Sequence, residues 1–187
     1  MGKKACNSDN NSIYCVHSGK KWEKVGAPDT FRRSAIKDGL EHMFMGQHMH
    51  NLDSKGRLTI PSRYRALLVD GAYITQGFDR NLMVWPKSSF EKISQRVSQG
   101  SITDPMSRQL RRFIYSSGES LELDRVGRIL IPEFLRQASQ LDSEVVVVGV
   151  GDYFEVWSPS LWAEQLASLQ DAEANQQRFI AFDLSAG

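Results

Sequence analysis

Cysteine is almost missing from this chain: the 187 residues hold only Cys6 and Cys15. Everything after them is thereby closed to a disulfide framework or a cysteine-based zinc site. Long apolar runs are missing too, and none approaches the roughly 18 residues that a membrane span needs. The N-terminus lacks the apolar stretch of about 7–15 residues that marks a signal peptide. No glycine-rich phosphate loop of the Walker type and no nucleophile elbow occurs. An excess of charge of one sign is also lacking, since 23 Lys/Arg stand against 22 Asp/Glu. These absences lead us to expect a soluble, cytoplasmic protein with no cofactor and no membrane partner. At 41% hydrophobic and 24% charged it is ordinary globular material, sized for one or two small domains.

The balanced charge hides an asymmetry. Residues 1–42 carry eight Lys/Arg and five Asp/Glu, a net of +3, and the remainder carries fifteen and seventeen, a net of −2. The first segment shows neither helix nor strand periodicity and is rich in Asn, Ser, Gly and Lys, so poor order is expected there. An over-extended gene start or vector-derived sequence accounts for it, with Met43 or Met45 as the natural initiator. A basic tail adding loose affinity for nucleic acid is the functional alternative. An anion-binding site in the slightly acidic remainder has to be built from a local cluster of cations.

What the chain does have is an internal repeat. Leu52-Asp53-Ser54-Lys55-Gly56-Arg57-Leu58-Thr59-Ile60-Pro61 returns as Leu123-Asp124-Arg125-Val126-Gly127-Arg128-Ile129-Leu130-Ile131-Pro132, at a constant offset of 71. Seven positions are identical on that frame between Leu52 and Arg65, including Asp53/Asp124, Gly56/Gly127, Arg57/Arg128 and Arg65/Arg136. Gly77/Gly149, Val84/Val156 and Trp85/Trp157 continue the echo at 72. The chain is a duplicated module.

Each copy spells the same order of elements. Met45–Leu52 is extended, and Asp53-Ser54-Lys55-Gly56 has the residue types of a turn. Arg57–Ile60 alternates, with Leu58 and Ile60 on one face. Pro61 suits the first turn of a helix over Ser62–Val69, which Gly71 ends. Strands follow at Ala72–Phe78 and Leu82–Trp85 around Asp79-Arg80-Asn81. Helices are predicted over Pro86–Gln99 and, after Asp104-Pro105, over Met106–Tyr115. The second copy reads as extended Ser120–Leu123, turn Asp124–Gly127, strand Arg128–Ile131 and a helix from Pro132 to about Gln140. Strands Val145–Gly149 and Phe154–Trp157 and a last helix over Pro159–Leu169 complete it. Val145–Val148 is apolar on both faces, as a strand buried on both sides would be. Neither copy can enclose a core alone, so one pseudo-twofold domain is expected in which the halves share a barrel or a sandwich. The helices after Pro86 and Pro159 would pack outside it.

The shared signature Asp-x-x-x-Arg places one arginine on a loop in each half. A planar guanidinium can hold two acceptors at once, whether a guanine edge or a phosphate. Gly56 and Gly127 let the backbone approach a bulky partner, and Lys55 and Arg125 add charge on the same loops. Arg63, Arg65 and Arg136 would extend the patch. The bland reading pairs each Asp with its own Arg merely to set the turn, and the two readings are compatible.

The paired motifs at Leu52–Pro61 and Leu123–Pro132 resemble those of the MraZ family, relatives of the AbrB-type swapped-hairpin regulators. Met43-Phe44-Met45-Gly46 is similar to that family's usual N-terminus. The resemblance covers about 43–170, and Gln47-His48 departs from it where an acidic residue is common. It implies an α+β, mainly β fold: a first AbrB-like half at 43–100, a second at 101–170 and a tail at 171–187. The halves would exchange hairpins to form one pseudo-twofold β-barrel with peripheral helices. It further implies a nucleoid-associated bacterial transcriptional regulator, usually a repressor, forming a ring-like homo-oligomer. Such a protein binds direct repeats in double-stranded DNA upstream of its own division and cell-wall gene cluster. On that resemblance the DNA contacts fall to Arg57 and Arg128, with Asp53 and Asp124 as the motif's other members. Lys55, Gly56, Arg125 and Gly127 share those loops.

Other functions fit less well. An aspartic-protease-like dyad needs two carboxylates sharing a proton, whereas each Asp here has an Arg four residues on that favours ionisation. His48 and His50 would lie on one strand face near His42, but no further ligand in the modules completes a metal set. Trp85, Phe90, Trp157 and Trp162 read as core or subunit contacts and not as a base-stacking platform. An oligomeric scaffold whose loops meet acidic proteins is the remaining alternative.

Overall fold

The computed structural model describes residues 43–182 and, before them, only the backbones of three short strands. These are β1 (Cys6–Asp9), β2 (Ser12–Cys15) and β3 (Glu23–Val25), paired antiparallel in that order. The remainder of the N-terminal segment, on which the expectation of poor order mostly falls, lies outside the described residues. The chain separates into two units, Met1–His42 and Met43–Gly187.

The second unit opens with β4 (Phe44–Asn51) and β5 (Arg57–Thr59), joined by the first Asp–Gly turn. Helix α1 (Ser62–Arg65) continues as a 3-10 turn over Ala66–Leu68. Then come β6 (Ala72–Gln76), β7 (Leu82–Pro86), α2 (Lys87–Gln99) and α3 (Pro105–Ser116). The second half supplies β8 (Glu119–Leu121), β9 (Arg128–Leu130), α4 (Glu133–Ala138), β10 (Glu144–Gly151) and β11 (Phe154–Trp157). Helices α5 (Pro159–Leu169) and α6 (Ala172–Phe179) follow. Pro159–Leu169 is therefore not the last helix. Asp171 caps α6 by accepting from the Ala174 amide at 3.0 Å.

Six strands form one antiparallel sheet in the order β4-β10-β11-β7-β6-β8. The halves exchange their opening strands: β4 of the first pairs with β10 of the second, and β8 of the second with β6 of the first. At the centre, β11 meets β7 with Glu155 opposite Met83, which are equivalent positions on the 72 frame. Strands β5 and β9 form a separate ribbon with Leu58 opposite Ile129, equivalent on the 71 frame. A residue facing its own sequence equivalent marks the pseudo-twofold axis, and both pairs lie on it.

The core belongs to both halves at once. Leu58, Ile60, Tyr64, Ile74, Leu82 and Val84 are fully buried in one cluster with Ile131, Leu135, Val145, Val147, Phe154 and Val156. Each such side chain contributes about 1.5–3 kcal/mol by leaving water, so neither half keeps its core if the other is removed. Val145–Val147 is buried as expected, and Val148 only partly.

Two expectations change. The strands do not close a barrel: among the described residues the sheet is open, with β4 and β8 at its edges. A single bridge, Leu52↔Leu58, links β4 to the ribbon, because three-residue strands are too short to carry a ladder around. Pro61 and Pro132 also precede their helices with extended backbone, at ψ 135° and 146°. A proline φ suits that conformation as readily as a helical one.

Candidate functional site

The two turns are built bond for bond alike. The Asp53 carboxylate accepts from the backbone N–H of Lys55 and of Arg57, each at 3.0 Å through Oδ1, and from Arg57 Nε at 2.7 Å through Oδ2. Asp124 accepts from the N–H of Val126 at 3.0 Å, the N–H of Arg128 at 2.9 Å and Arg128 Nε at 2.8 Å. Each turn closes with a glycine amide donating to the aspartate carbonyl, Gly56 to Asp53 and Gly127 to Asp124. Gly56 and Gly127 have φ of +77° and +80°, the left-handed region that a side chain disfavours. The aspartates therefore shape the loops and aim the arginines. Those amide bonds, with the paired guanidinium, hold both carboxyls below their usual range. Two ionised carboxylates are the opposite of a shared-proton pair.

The β5–β9 ribbon joins the loops. Ile60 N–H donates to Gly127 O and Ile131 N–H to Gly56 O, each at 3.0 Å, so one loop sits at either end. Alternation sends Leu58 and Ile129 into the core and leaves Arg57, Thr59, Arg128 and Leu130 on the outward face. There Arg128 spans both loops, with its Nη1 3.4 Å from Asp53 Oδ2. The Arg57 and Arg128 side chains keep 32% and 27% of their surface exposed. Lys55 and Arg125 are exposed on the turns.

All eight site residues read from the sequence thus gather on one ribbon and its two loops. The three auxiliary arginines separate. Arg63 is exposed and turns to β4, where it meets His48 Nε2 and lies over the Tyr64 ring at 5.4 Å. Arg65 and Arg136 are partly buried and run beneath the loops. Thr59 and Leu130, equivalent positions that face Arg128 and Arg57 across the ribbon, were not among the site residues read from the sequence, although alternation puts Thr59 on the same face as Arg57. The alternation that buries Leu58 and Ile129 was the signal for them.

His48 and His50 lie on β4 with ring centroids 6.3 Å apart. Desolvation first, then the charge of Arg63 beside His48 and of His48 and Arg65 near His50, lowers both pKa values. Among the described residues no group of three or more His, Cys, Asp or Glu could hold a metal ion. No helix among them is long and apolar enough to cross a membrane.

Comparison with known proteins bears on this arrangement. A family model described as "MraZ protein, putative antitoxin-like" matches twice in tandem, over 43–113 and 114–183. A protein of Roseiflexus castenholzii named transcriptional regulator MraZ is 43% identical over 133 residues, covering 71% of this chain and 92% of that protein. Its namesake from Thermomicrobium roseum is 44% identical over 131 residues, 70% of this chain and 92% of that protein. The namesake from Herpetosiphon aurantiacus is 38% identical over 143 residues, 76% of this chain and all of that protein.

Proposed function

This chain belongs to the MraZ family, and on that premise we propose that it is a transcriptional regulator that binds double-stranded DNA through the outward face of the β5–β9 ribbon. The observation that carries the proposal is the shared face: Arg57 and Arg128 stand on one short ribbon, each held by an aspartate, with Lys55 and Arg125 on the flanking turns. The B-DNA major groove admits a two-stranded ribbon, and arginine is the usual reader of guanine there. Four cations on the ribbon and its turns (Lys55, Arg57, Arg125 and Arg128) against Asp53 and Asp124 supply the local positive patch that a unit of net charge −2 requires.

The finer reading is a repressor of its own division and cell-wall gene cluster, acting as a ring-like homo-oligomer on direct repeats and associated with the nucleoid. One slightly acidic subunit binds DNA weakly, whereas several tethered ribbons on several repeats gain by effective concentration. Repeats about 10 base pairs apart present the same groove to successive subunits.

The test is binding of the full chain to DNA from directly upstream of its own gene. Affinity is expected to fall steeply with salt as condensed counterions are released. Arg57→Ala and Arg128→Ala are expected to lose most operator affinity while oligomer size stays constant. Normal binding by both variants sinks the site assignment. Absence of any salt-dependent DNA binding favours the scaffold reading.

A further inference from the structure

We propose that Arg65 and Arg136 are crossed positioning residues, each leaving the helical segment of one half to hold the glycine turn of the other, so that the two loops are set as a unit. The proposal rests on the reading of the ribbon face as the DNA-binding surface.

Three observations carry it. Arg65 Nε donates to Ile60 O at 2.8 Å, and Arg136 Nε to Ile131 O at 3.2 Å. Ile60 and Ile131 are the residues whose own amides bond Gly127 and Gly56, so each arginine is anchored where the opposite loop joins the ribbon. Secondly, each guanidinium lies directly against the opposite glycine. A Cβ on Gly56 would sit 2.8 Å from Nε and Cζ of Arg136, and one on Gly127 would overlap the same atoms of Arg65. The two glycines are thus required twice, for their positive φ and for the flat group packed on them. Thirdly, both arginines are partly buried, as Arg57 and Arg128 are, but their Nε atoms bond backbone carbonyls where those of Arg57 and Arg128 bond carboxylates.

A planar guanidinium can lie flat on a turn and bond a carbonyl edge-on, and an ammonium cannot. Lysine should therefore fail to replace either arginine, although it keeps the charge. The crossing also predicts which residues couple: Arg65 with Arg128, and Arg136 with Arg57.

The first arm of the test needs no DNA. In full-length Arg65→Lys and Arg65→Ala, amide hydrogen exchange at Val126, Gly127 and Arg128 is expected to rise tenfold or more. Exchange at Lys55, Gly56 and Arg57 is expected to stay near the parent value. Arg136→Lys should give the mirror image, and the lysine variants serve if an alanine variant does not fold. Exchange rising in the arginine's own loop, or in neither loop, overturns the proposal. The second arm measures operator affinity against salt. The lysine variants should lose affinity about as fully as alanine, with an unchanged slope of log affinity on log salt, and Arg65 should be non-additive with Arg128 but additive with Arg57. Rescue by lysine, with a slope reduced by about one in the alanine variant, makes these residues phosphate contacts and overturns it. A parent protein that binds no operator sinks the DNA reading alone, and the exchange arm then decides the brace.

Discussion

The two halves agree at their Asp–Arg turns and differ at their opening strands. Around Asp53 and Asp124 the same five groups bond in the same order. Upstream, β4 pairs with β10 over eight residues, whereas β8 pairs with β6 over three. On the 71 frame the equivalent of Phe44 is Tyr115, which lies in α3, so the second half has given the start of its strand to a helix. The equivalent helix positions Tyr64 and Leu135 are both fully buried. Only Tyr64 reaches back to the long strand, donating from its hydroxyl to Met45 O at 2.8 Å and packing edge-on against Phe44 at 4.9 Å. A turn whose hydrogen bonds must all close tolerates little change. A sheet edge with slack in its length tolerates much more.

The largest test of that comparison is removal of the two equivalent core side chains. Tyr64→Ala is expected to cost about 3–5 kcal/mol and Leu135→Ala about 2–5 kcal/mol in urea unfolding. Both should keep a single transition, because the core cluster is common to the halves. A biphasic curve for either would show the halves to be separable.

Next comes the asymmetry of the aspartates. Asp53 takes both Arg57 and Arg128, while among the described residues Asp124 takes only its own arginine. Solvent screens exposed ion pairs, so the extra partner should show as a difference and not as a large loss: Asp53→Asn should weaken operator binding more than Asp124→Asn, measured by anisotropy at fixed salt. Equal losses would mean that the 3.4 Å contact carries no weight.

Thr59 and Leu130 differ at equivalent places on the outward face, and Leu130 is 55% exposed. Leu130→Thr should change the preference among operator bases by about 1 kcal/mol, since an apolar group favours a thymine methyl. Tyr64→Phe should cost about 1 kcal/mol of stability, the value of one neutral hydrogen bond. No such cost is available to the second half, which has leucine there.

The smallest effect is a pH dependence that arises on β4. His48 and His50 have pKa values lowered from 6.5, chiefly by desolvation. Their stabilising contribution is therefore complete above that value and is lost as the pH falls below it toward their folded values. Their equivalents on the 71 frame are Glu119 and Leu121. Thermal stability should decline modestly from about pH 7.5 to about pH 5.5, and His48→Gln/His50→Gln should flatten that decline. The aspartates act lower. Their folded pKa values lie below 3.8, so their contribution is present above that value and is lost only as the pH falls through the lowered ones.

Much of this was written locally in the chain. Asp, Gly and Arg at fixed spacing specify a turn whose bonds span at most four residues, and alternation from Arg57 to Ile60 says which side chains face inward. Asp104 and Ser158 announce their helices by accepting from the Ser107 and Leu161 amides. Helix α6 was missed although Asp171 carries the same cap, because no apolar stripe followed it. Pro61 and Pro132 misled for a local reason too, since their φ is compatible with both strand and helix.

The repeat also announced two equivalent halves and the identity of Arg65 with Arg136, but not where those arginines go. Their destinations lie across the molecule, on Gly127 and Gly56. They follow from the antiparallel meeting of β5 and β9, which carries the end of each strand to the other's turn. Spacing along the chain encodes contacts within a few residues. A contact between residues 65 and 127 depends on which strands pair and in what direction, and that is settled by the core the two halves bury together.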